Sequence, residues 1–108
     1  MMDKNSTPTV HTLQTMVDYQ EGAIVSRTLL KRKSGTITLF AFDKDEALSE
    51  HTSPYAALIQ VFEGTADVRI EGETFNVKEG ELINLPPDKP HEVCAKERFK
   101  MMLSMIRS

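Results

Sequence analysis

The stretch VKEGELINLPPDKP, residues 77–90, contains the residues of a turn, a short strand and three prolines that end the strand. Glu79-Gly80 predicts the turn, and residues 82–85 predict the strand. Three prolines then stop that strand, because proline has no backbone N–H to donate to a neighbouring strand. The prolines therefore predict an ordered loop that delivers His91 to the start of the next strand.

Short alternating segments fill the chain on both sides of this loop. From Ile24 onward the apolar residues recur with a period of two, and Gly, Pro or acidic clusters separate the segments. Gly64, in VFEGTADV, and Gly72, in IEGETF, predict tight hairpins because glycine tolerates positive φ. This spacing is typical of sandwiches and barrels, so we expect an all-β protein. The predicted strands are 24–33, 36–43, 46–51, 56–62, 66–71, 74–78, 82–85, 91–96 and 98–106.

The N-terminal part of the chain differs from the rest. Residues 1–9 are polar and lack periodicity, which is typical of a tail or docking arm. At 12–21, three apolar residues with helical spacing allow one or two helical turns. We therefore divide the chain into an N-terminal arm, residues 1–22, and one barrel domain, residues 23–108.

Composition bounds the class of protein. A chain of 108 residues and 12.2 kDa has room for one domain, and its net charge of -3 lacks the basic footprint of a nucleic-acid-binding protein. Apolar runs such as Leu39 to Phe42 are far shorter than the ~18–20 residues that cross a bilayer. We expect a cytoplasmic protein that binds neither nucleic acid nor membrane, since no secretory signal is evident.

Two histidines stand in informative settings: His51 precedes the segment TSPYAALIQVFEG, and His91 follows the proline loop. Here the sequence resembles the cupin superfamily, whose second motif is a glycine, five residues, PxG, two residues, His, three residues and Asn. Gly80, Pro86 and His91 match this motif, whereas Asp88 replaces its inner glycine and Ala95 its asparagine. The resemblance implies a single-domain jelly-roll barrel, the double-stranded β-helix of cupins.

The first cupin motif is only partly present. It consists of a glycine, five residues, HxH, three or four residues, Glu, six residues and Gly. His51 and Gly64 hold their places, but the other three positions carry Asp45 for the leading glycine, Ser53 for the second histidine and Ala57 for the glutamate. Glu50 and Glu92 adjoin the histidines, so alternation turns them to the opposite face.

In cupins that keep all four ligands, three histidines and one glutamate hold a divalent metal. Two of these four ligands are kept, so the resemblance is compatible with one divalent transition metal (Fe, Mn, Ni, Co, Cu or Zn) on His51 and His91, with water or substrate at the remaining positions. Two other interpretations stay open. The histidines can bind a small molecule without metal, or they can be polar residues of the barrel mouth with partners in water or backbone.

The walls around the histidines are predicted to be apolar. As pocket residues we expect Ser53, Tyr55, Ala57, Phe40, Ile59, Met101 and Met105. The alternative is that the apolar members simply form the barrel core, which is the usual place of such residues.

Three functions follow. The first is a metal-dependent enzyme of dioxygenase or isomerase type that acts on a small organic molecule. The second is a metal-free module that binds or senses a small molecule, and the third is a structural dimerisation barrel. By resemblance, a homodimer is expected through the N-terminal arm, strand 24–33 and the outward residues Leu58 and Phe62.

Overall fold

The computed structural model describes residue 2 and residues 6–107; parts of the predicted arm, residues 1 and 3–5, and the last residue of the predicted domain lie outside this range. A short 3-10 helix, η1 (Leu13–Thr15), lies in the stretch predicted to form one or two helical turns. The strands are β1 (Ile24–Arg32), β2 (Gly35–Phe42), β3 (Ala47–His51), β4 (Ala56–Glu63), β5 (Thr65–Ile70), β6 (Glu73–Lys78), β7 (Leu82–Leu85), β8 (His91–Cys94) and β9 (Phe99–Ile106).

The strands form two antiparallel sheets. One has the order β1-β2-β9-β4-β7, and the other has the order β3-β8-β5-β6. The predicted all-β jelly-roll barrel is therefore confirmed, and each predicted strand agrees with an observed one to within two residues at either end. None of the described helices is long and apolar enough to cross a membrane.

The main core lies between the two sheets. Inward residues alternate along the strands, so Ile59 and Val61 of β4 face Val68 of β5 and Val93 of β8. The rings of Phe42 and Phe99 stack with their centroids 4.5 Å apart. Burial of these apolar surfaces stabilises the barrel and fixes which residues point toward its interior.

A second apolar layer lies on the outer face of the five-stranded sheet. Met16 and Val17, just after η1, are buried against Leu29, Leu39 and Phe62 of that sheet. The prediction that Phe62 faces outward to a partner subunit is thus wrong, because the protein's own N-terminal segment covers it. Period-2 alternation identified the face of Phe62, but it did not show what covers that face.

Polar contacts fasten the N-terminal segment to the sheet. Lys100 is buried, and its Nζ donates to the carbonyl oxygen of Gln14 at 2.5 Å. The Tyr19 hydroxyl donates to Glu63 Oε2 at 2.6 Å, and burial together with this hydrogen bond raises the pKa of Tyr19. Residues 13–19 of the N-terminal segment therefore pack on the five-stranded sheet as part of the fold.

Two predicted hairpins have different outcomes. At Gly72, β5 and β6 pair directly, and Glu71 (φ 49°) and Gly72 (φ 83°) both have the positive φ that a type I′ turn requires. At Gly64 the hairpin prediction is wrong, because β4 and β5 belong to different sheets. Alternation marks where a strand ends, but it does not identify the strand's partner.

Gly64 is required at this crossing for two reasons. Its φ is 74°, and a Cβ atom there would lie 2.5 Å from the carbonyl oxygen of Arg98. Gly80 also has a positive φ, 85°, but an added Cβ would meet nothing within 4 Å. An alanine at Gly80 would therefore be disfavoured by the backbone conformation alone, whereas an alanine at Gly64 would be disfavoured by the backbone conformation and by a steric clash.

We predict that Gly64→Ala lowers the free energy of unfolding by about 3 kcal/mol or more, and that Gly80→Ala lowers it by only about 1–2 kcal/mol. Urea denaturation of the wild type and both variants measures the difference. Equal losses in the two variants would contradict the close packing of Gly64 against β9.

Candidate functional site

The two histidines meet across neighbouring strands. His51 ends β3, His91 begins β8, and the two residues are partners in the antiparallel register. Their ring centroids are 4.3 Å apart in an edge-on arrangement, and their Nε2 atoms are 3.1 Å apart. The proline loop places His91 at this point because it ends just before β8.

Each ring is also tied to the backbone through its other nitrogen. His51 Nδ1 lies 2.7 Å from the carbonyl oxygen of Ser49, and His91 Nδ1 lies 3.1 Å from that of Lys89. A carbonyl oxygen only accepts, so both Nδ1 atoms donate. When both rings are neutral, the two Nε2 atoms are then acceptors that face each other, and their 3.1 Å contact needs a proton or another electrophile between them.

The two rings have different surroundings. His91 is buried, whereas His51 is exposed. Burial lowers the pKa of His91; the hydrogen bond to the Lys89 carbonyl acts in the opposite direction, and the charge of His51 adds to the lowering. Burial therefore favours the neutral form of the His91 ring.

A cavity of about 50 Å³ opens beside this pair, between the two sheets. Its polar end carries the two imidazoles, and most of its remaining wall is apolar. Four larger depressions, of about 380 to 450 Å³, lie elsewhere, but neither histidine lines them. The lining residues of the interior cavity are Leu48, His51, Ser53, Tyr55, Ala57, Ile59, Leu85, His91, Val93, Met101, Leu103 and Met105.

The structure brings most of the predicted pocket residues to this cavity. Six of them line it beside the two histidines: Ser53, Tyr55, Ala57, Ile59, Met101 and Met105. Phe40 does not line it. The Phe40 ring instead packs against the interior core, with its centroid 6.2 Å from that of Phe42.

Other lining residues were absent from the predicted set. Leu85 is the cross-strand partner of Ala57, and Val93 lies two residues beyond His91, so strand register and alternation could have identified both. Leu48 and His51 are three residues apart, and simple alternation would place them on opposite faces. A register shift between them in the pairing with β8 allows both to line the cavity.

Only two of the four metal-ligand positions of the cupin motif carry a histidine or a glutamate. Ser53 and Ala57 line the cavity as the alternation predicted. Glu92 lines an outer groove and Glu50 is exposed, so neither glutamate joins the histidines. Within residues 6–107 and at residue 2, no group of three or more His, Cys, Asp or Glu side chains is placed to hold a metal ion.

Two aspartates stand at positions where the cupin motif has glycine, and both have positive φ. Asp45 has φ 70° and Asp88 has φ 65°, both in the left-handed region. Aspartate adopts this region more readily than most side chains, because its short polar group can hydrogen-bond locally. The Asp88 N–H also donates to the Ser53 carbonyl oxygen at 2.8 Å, which joins the two loops beside the cavity.

Comparisons with known proteins agree with this architecture. The sequence profile of the AraC-like ligand binding domain family matches residues 35–103, so the chain belongs to that family of cupin-type domains. No curated protein matches the chain.

Three solved structures illustrate the similarity. A conserved protein of unknown function from Streptococcus pyogenes is 32% identical, with a TM-score of 0.91 over 98% of this chain and 93% of that one. A cupin 2 conserved barrel domain protein from Leptotrichia buccalis is 38% identical, with a TM-score of 0.85 over 88% of this chain and 46% of that one. A cupin superfamily protein from Desulfitobacterium hafniense is 21% identical, with a TM-score of 0.89 over 95% and 94% of the two chains.

Proposed function

We propose that the protein is a small-molecule-binding module and that its ligand occupies the cavity beside His51 and His91. The observation that carries this proposal is the pair of Nε2 atoms, 3.1 Å apart, at the polar end of an otherwise mostly apolar cavity. Small-molecule sites commonly combine apolar walls with a few placed polar groups. The family to which the chain belongs is described as ligand-binding, which supports the same function.

The cavity limits the size of the ligand. Its volume of about 50 Å³ is well below the ~300–1,000 Å³ of sites for drug-sized molecules. Met101 and Met105 form part of the wall, and unbranched methionine side chains change rotamer more easily than branched ones. The enclosed part of the ligand is therefore small, and any enlargement of the cavity comes first from these two side chains.

We predict that small compounds bind the wild type and lose binding when the cavity is altered. A panel of acids, amides, alcohols and amines with four to six heavy atoms, examined by ligand-observed NMR, tests this. Compounds that bind should lose at least about tenfold in affinity in His91→Ala and in Ala57→Leu, which fills the cavity from β4.

His11→Ala is the matched control, because His11 lies in the N-terminal segment and lines a different depression. Its binding should equal that of the wild type. Thermal unfolding checks that each variant is folded. If no compound in the panel binds, or if binding survives in both cavity variants, the proposed function is wrong.

A second candidate is a metal-dependent enzyme in which His51 and His91 hold a divalent transition metal. Two nitrogens bound to one Zn²⁺ at about 2.0–2.1 Å each lie roughly 3–3.4 Å apart, and the two Nε2 atoms are 3.1 Å apart. Hydrogen bonds from Nδ1 to backbone carbonyls also orient ligating histidines. The pair therefore fits a metal that takes its other ligands from water or a small molecule.

In that function the chain's own residues hold the ion and shape the space beside it. The ion would supply Lewis-acid chemistry to an oxygen of the bound molecule. The apolar wall would exclude water from the rest of that molecule, in keeping with a reaction of dioxygenase or isomerase type.

We predict that, if this second candidate is correct, untagged protein carries close to one equivalent of metal, which His51→Ala and His91→Ala each abolish and His11→Ala retains. Elemental mass spectrometry measures it. Wild-type protein that takes up no Fe, Mn, Ni, Co, Cu or Zn after incubation with each would rule the metal function out.

We also propose a homodimer through the uncovered part of the five-stranded sheet. The N-terminal segment covers Phe62, but Leu58 is 43% exposed and Ile106 is 63% exposed on strands β4 and β9. Large apolar side chains that adjoin one another on a sheet face are typical of interaction surfaces. A second copy of the chain, related by a twofold axis, would cover both residues.

We predict that the wild type sediments as a dimer and that the double variant Leu58→Lys, Ile106→Lys sediments as a monomer. Thr74→Lys, on the outer side of the other sheet, is the control and should remain dimeric. A monomeric wild type at micromolar concentrations, or a dimeric double variant, would contradict this interface.

A further inference from the structure

The lining of the cavity contains no side chain of fixed charge. Of the twelve residues that line it in the described part of the chain, none is aspartate, glutamate, lysine or arginine. The polar lining groups other than the histidines are the hydroxyls of Ser53 and Tyr55. A ligand with a cationic head would therefore meet no carboxylate in this wall, whereas a ligand with acceptor oxygens would meet hydroxyl donors.

Both hydroxyls have a proton to donate. Ser53 Oγ accepts from the backbone N–H of Tyr55 at 3.2 Å, which leaves the Ser53 hydroxyl hydrogen for another acceptor. The Tyr55 hydroxyl makes no hydrogen bond to any group in the described part of the chain, although its residue is partly buried. No buried side-chain N or O atom of the described residues lacks a partner, so the Tyr55 hydroxyl reaches solvent, and a ligand oxygen would replace water as its acceptor.

The positive charge of Arg107, an exposed residue outside the cavity lining, lies next to the Tyr55 ring. The guanidinium carbon of Arg107 is 5.0 Å from the centroid of the Tyr55 ring. Arg107 makes no ion pair with an acidic side chain in residues 6–107, and its backbone N–H is held by the carbonyl oxygen of Ser34 at 2.8 Å. Its charge therefore favours an anion at this wall.

The other end of the cavity accepts only a short apolar group. Met101, Leu103 and Met105 of β9 line it, together with Ile59 of the adjacent strand β4. A water-sized group needs about 10–15 Å³ of such volume, so the cavity of about 50 Å³ has room for roughly three to five of them. An alkyl group of two or three carbons fits this limit when its carboxylate lies beside Tyr55 and Ser53 rather than among the β9 side chains.

We propose that the ligand is a short-chain aliphatic monocarboxylate, whose oxygens accept hydrogen bonds from Tyr55 and Ser53 near the charge of Arg107 and whose alkyl group lies against the β9 side chains. This inference rests on the proposed binding function and specifies its ligand class. Tyr55 and Arg107 are then specificity-determining residues of the site.

Three probes of equal length separate the head groups: butyrate, butyramide and butylamine. By isothermal titration calorimetry at fixed pH and ionic strength, butyrate should bind at least tenfold more tightly than butyramide, and butylamine should not bind. Decanoate should bind at least tenfold more weakly than butyrate, because its chain exceeds the cavity.

Two variants test the assigned residues. Tyr55→Phe removes only the hydroxyl and keeps the ring under Arg107, so folding should be unchanged while butyrate affinity falls about tenfold. Arg107→Gln should weaken butyrate severalfold and leave butyramide unaffected. Arg32→Gln is the control, because Arg32 is as exposed as Arg107 but makes its hydrogen bond to the Lys31 carbonyl oxygen and lies at neither Tyr55 nor the cavity.

The outcomes separate this inference from the proposed function. Butyramide or butylamine that binds as tightly as butyrate, or a Tyr55→Phe variant that retains full butyrate affinity, would overturn the carboxylate assignment. If such binding is still lost in Ala57→Leu, the proposed function stands. If none of the three probes binds and the wider panel of small compounds also fails, both are wrong.

Discussion

The site depends on one interaction, the contact between His51 and His91 across β3 and β8. Each ring is tied through Nδ1 to a carbonyl two residues earlier in its own chain segment, so the Nε2 atoms are turned toward each other rather than to the backbone. Two acceptors at 3.1 Å are unfavourable unless a proton or a metal ion lies between them. The fold thus holds the pair in an arrangement whose stability depends on what it binds.

Two motif positions of this protein have a glycine-like backbone conformation, whereas two of the four metal-ligand positions lack a histidine or a glutamate. Asp45 and Asp88 stand at positions where the cupin motif has glycine, and both have the positive φ that glycine adopts most readily. Ser53 and Ala57 stand where the motif has a histidine and a glutamate, and both line the cavity without forming a cluster of three strong metal ligands in the described residues. A cavity with two imidazoles and no third strong metal ligand among the described residues favours a site that binds a small molecule. A metal centre held by the two histidines is the alternative.

Much of the fold could be predicted because alternation and turn residues are local signals. The strands and the Gly72 hairpin follow directly from them, and so does the cavity position of Ser53, Ala57 and Met101. Which strands pair depends on residues far apart in the sequence, and local signals do not show it. For that reason the connection at Gly64, where the chain passes from one sheet to the other, was predicted as a hairpin. Three further features depend on tertiary packing and could not be predicted from local signals. They are the burial of Phe62 under the N-terminal segment, the packing of Phe40 against the core and the register shift beside Leu48.

The orientation of the His91 ring is the central claim, and its tautomer is the most direct test. Long-range ¹H–¹⁵N NMR of the ring nitrogens, on metal-free protein, distinguishes a protonated from an unprotonated nitrogen. We predict that His91 carries its proton on Nδ1 and leaves Nε2 as an acceptor, in the wild type and equally in His51→Ala, because the Lys89 carbonyl remains. A His91 ring protonated on Nε2 with a bare Nδ1 would contradict the arrangement from which the site is built.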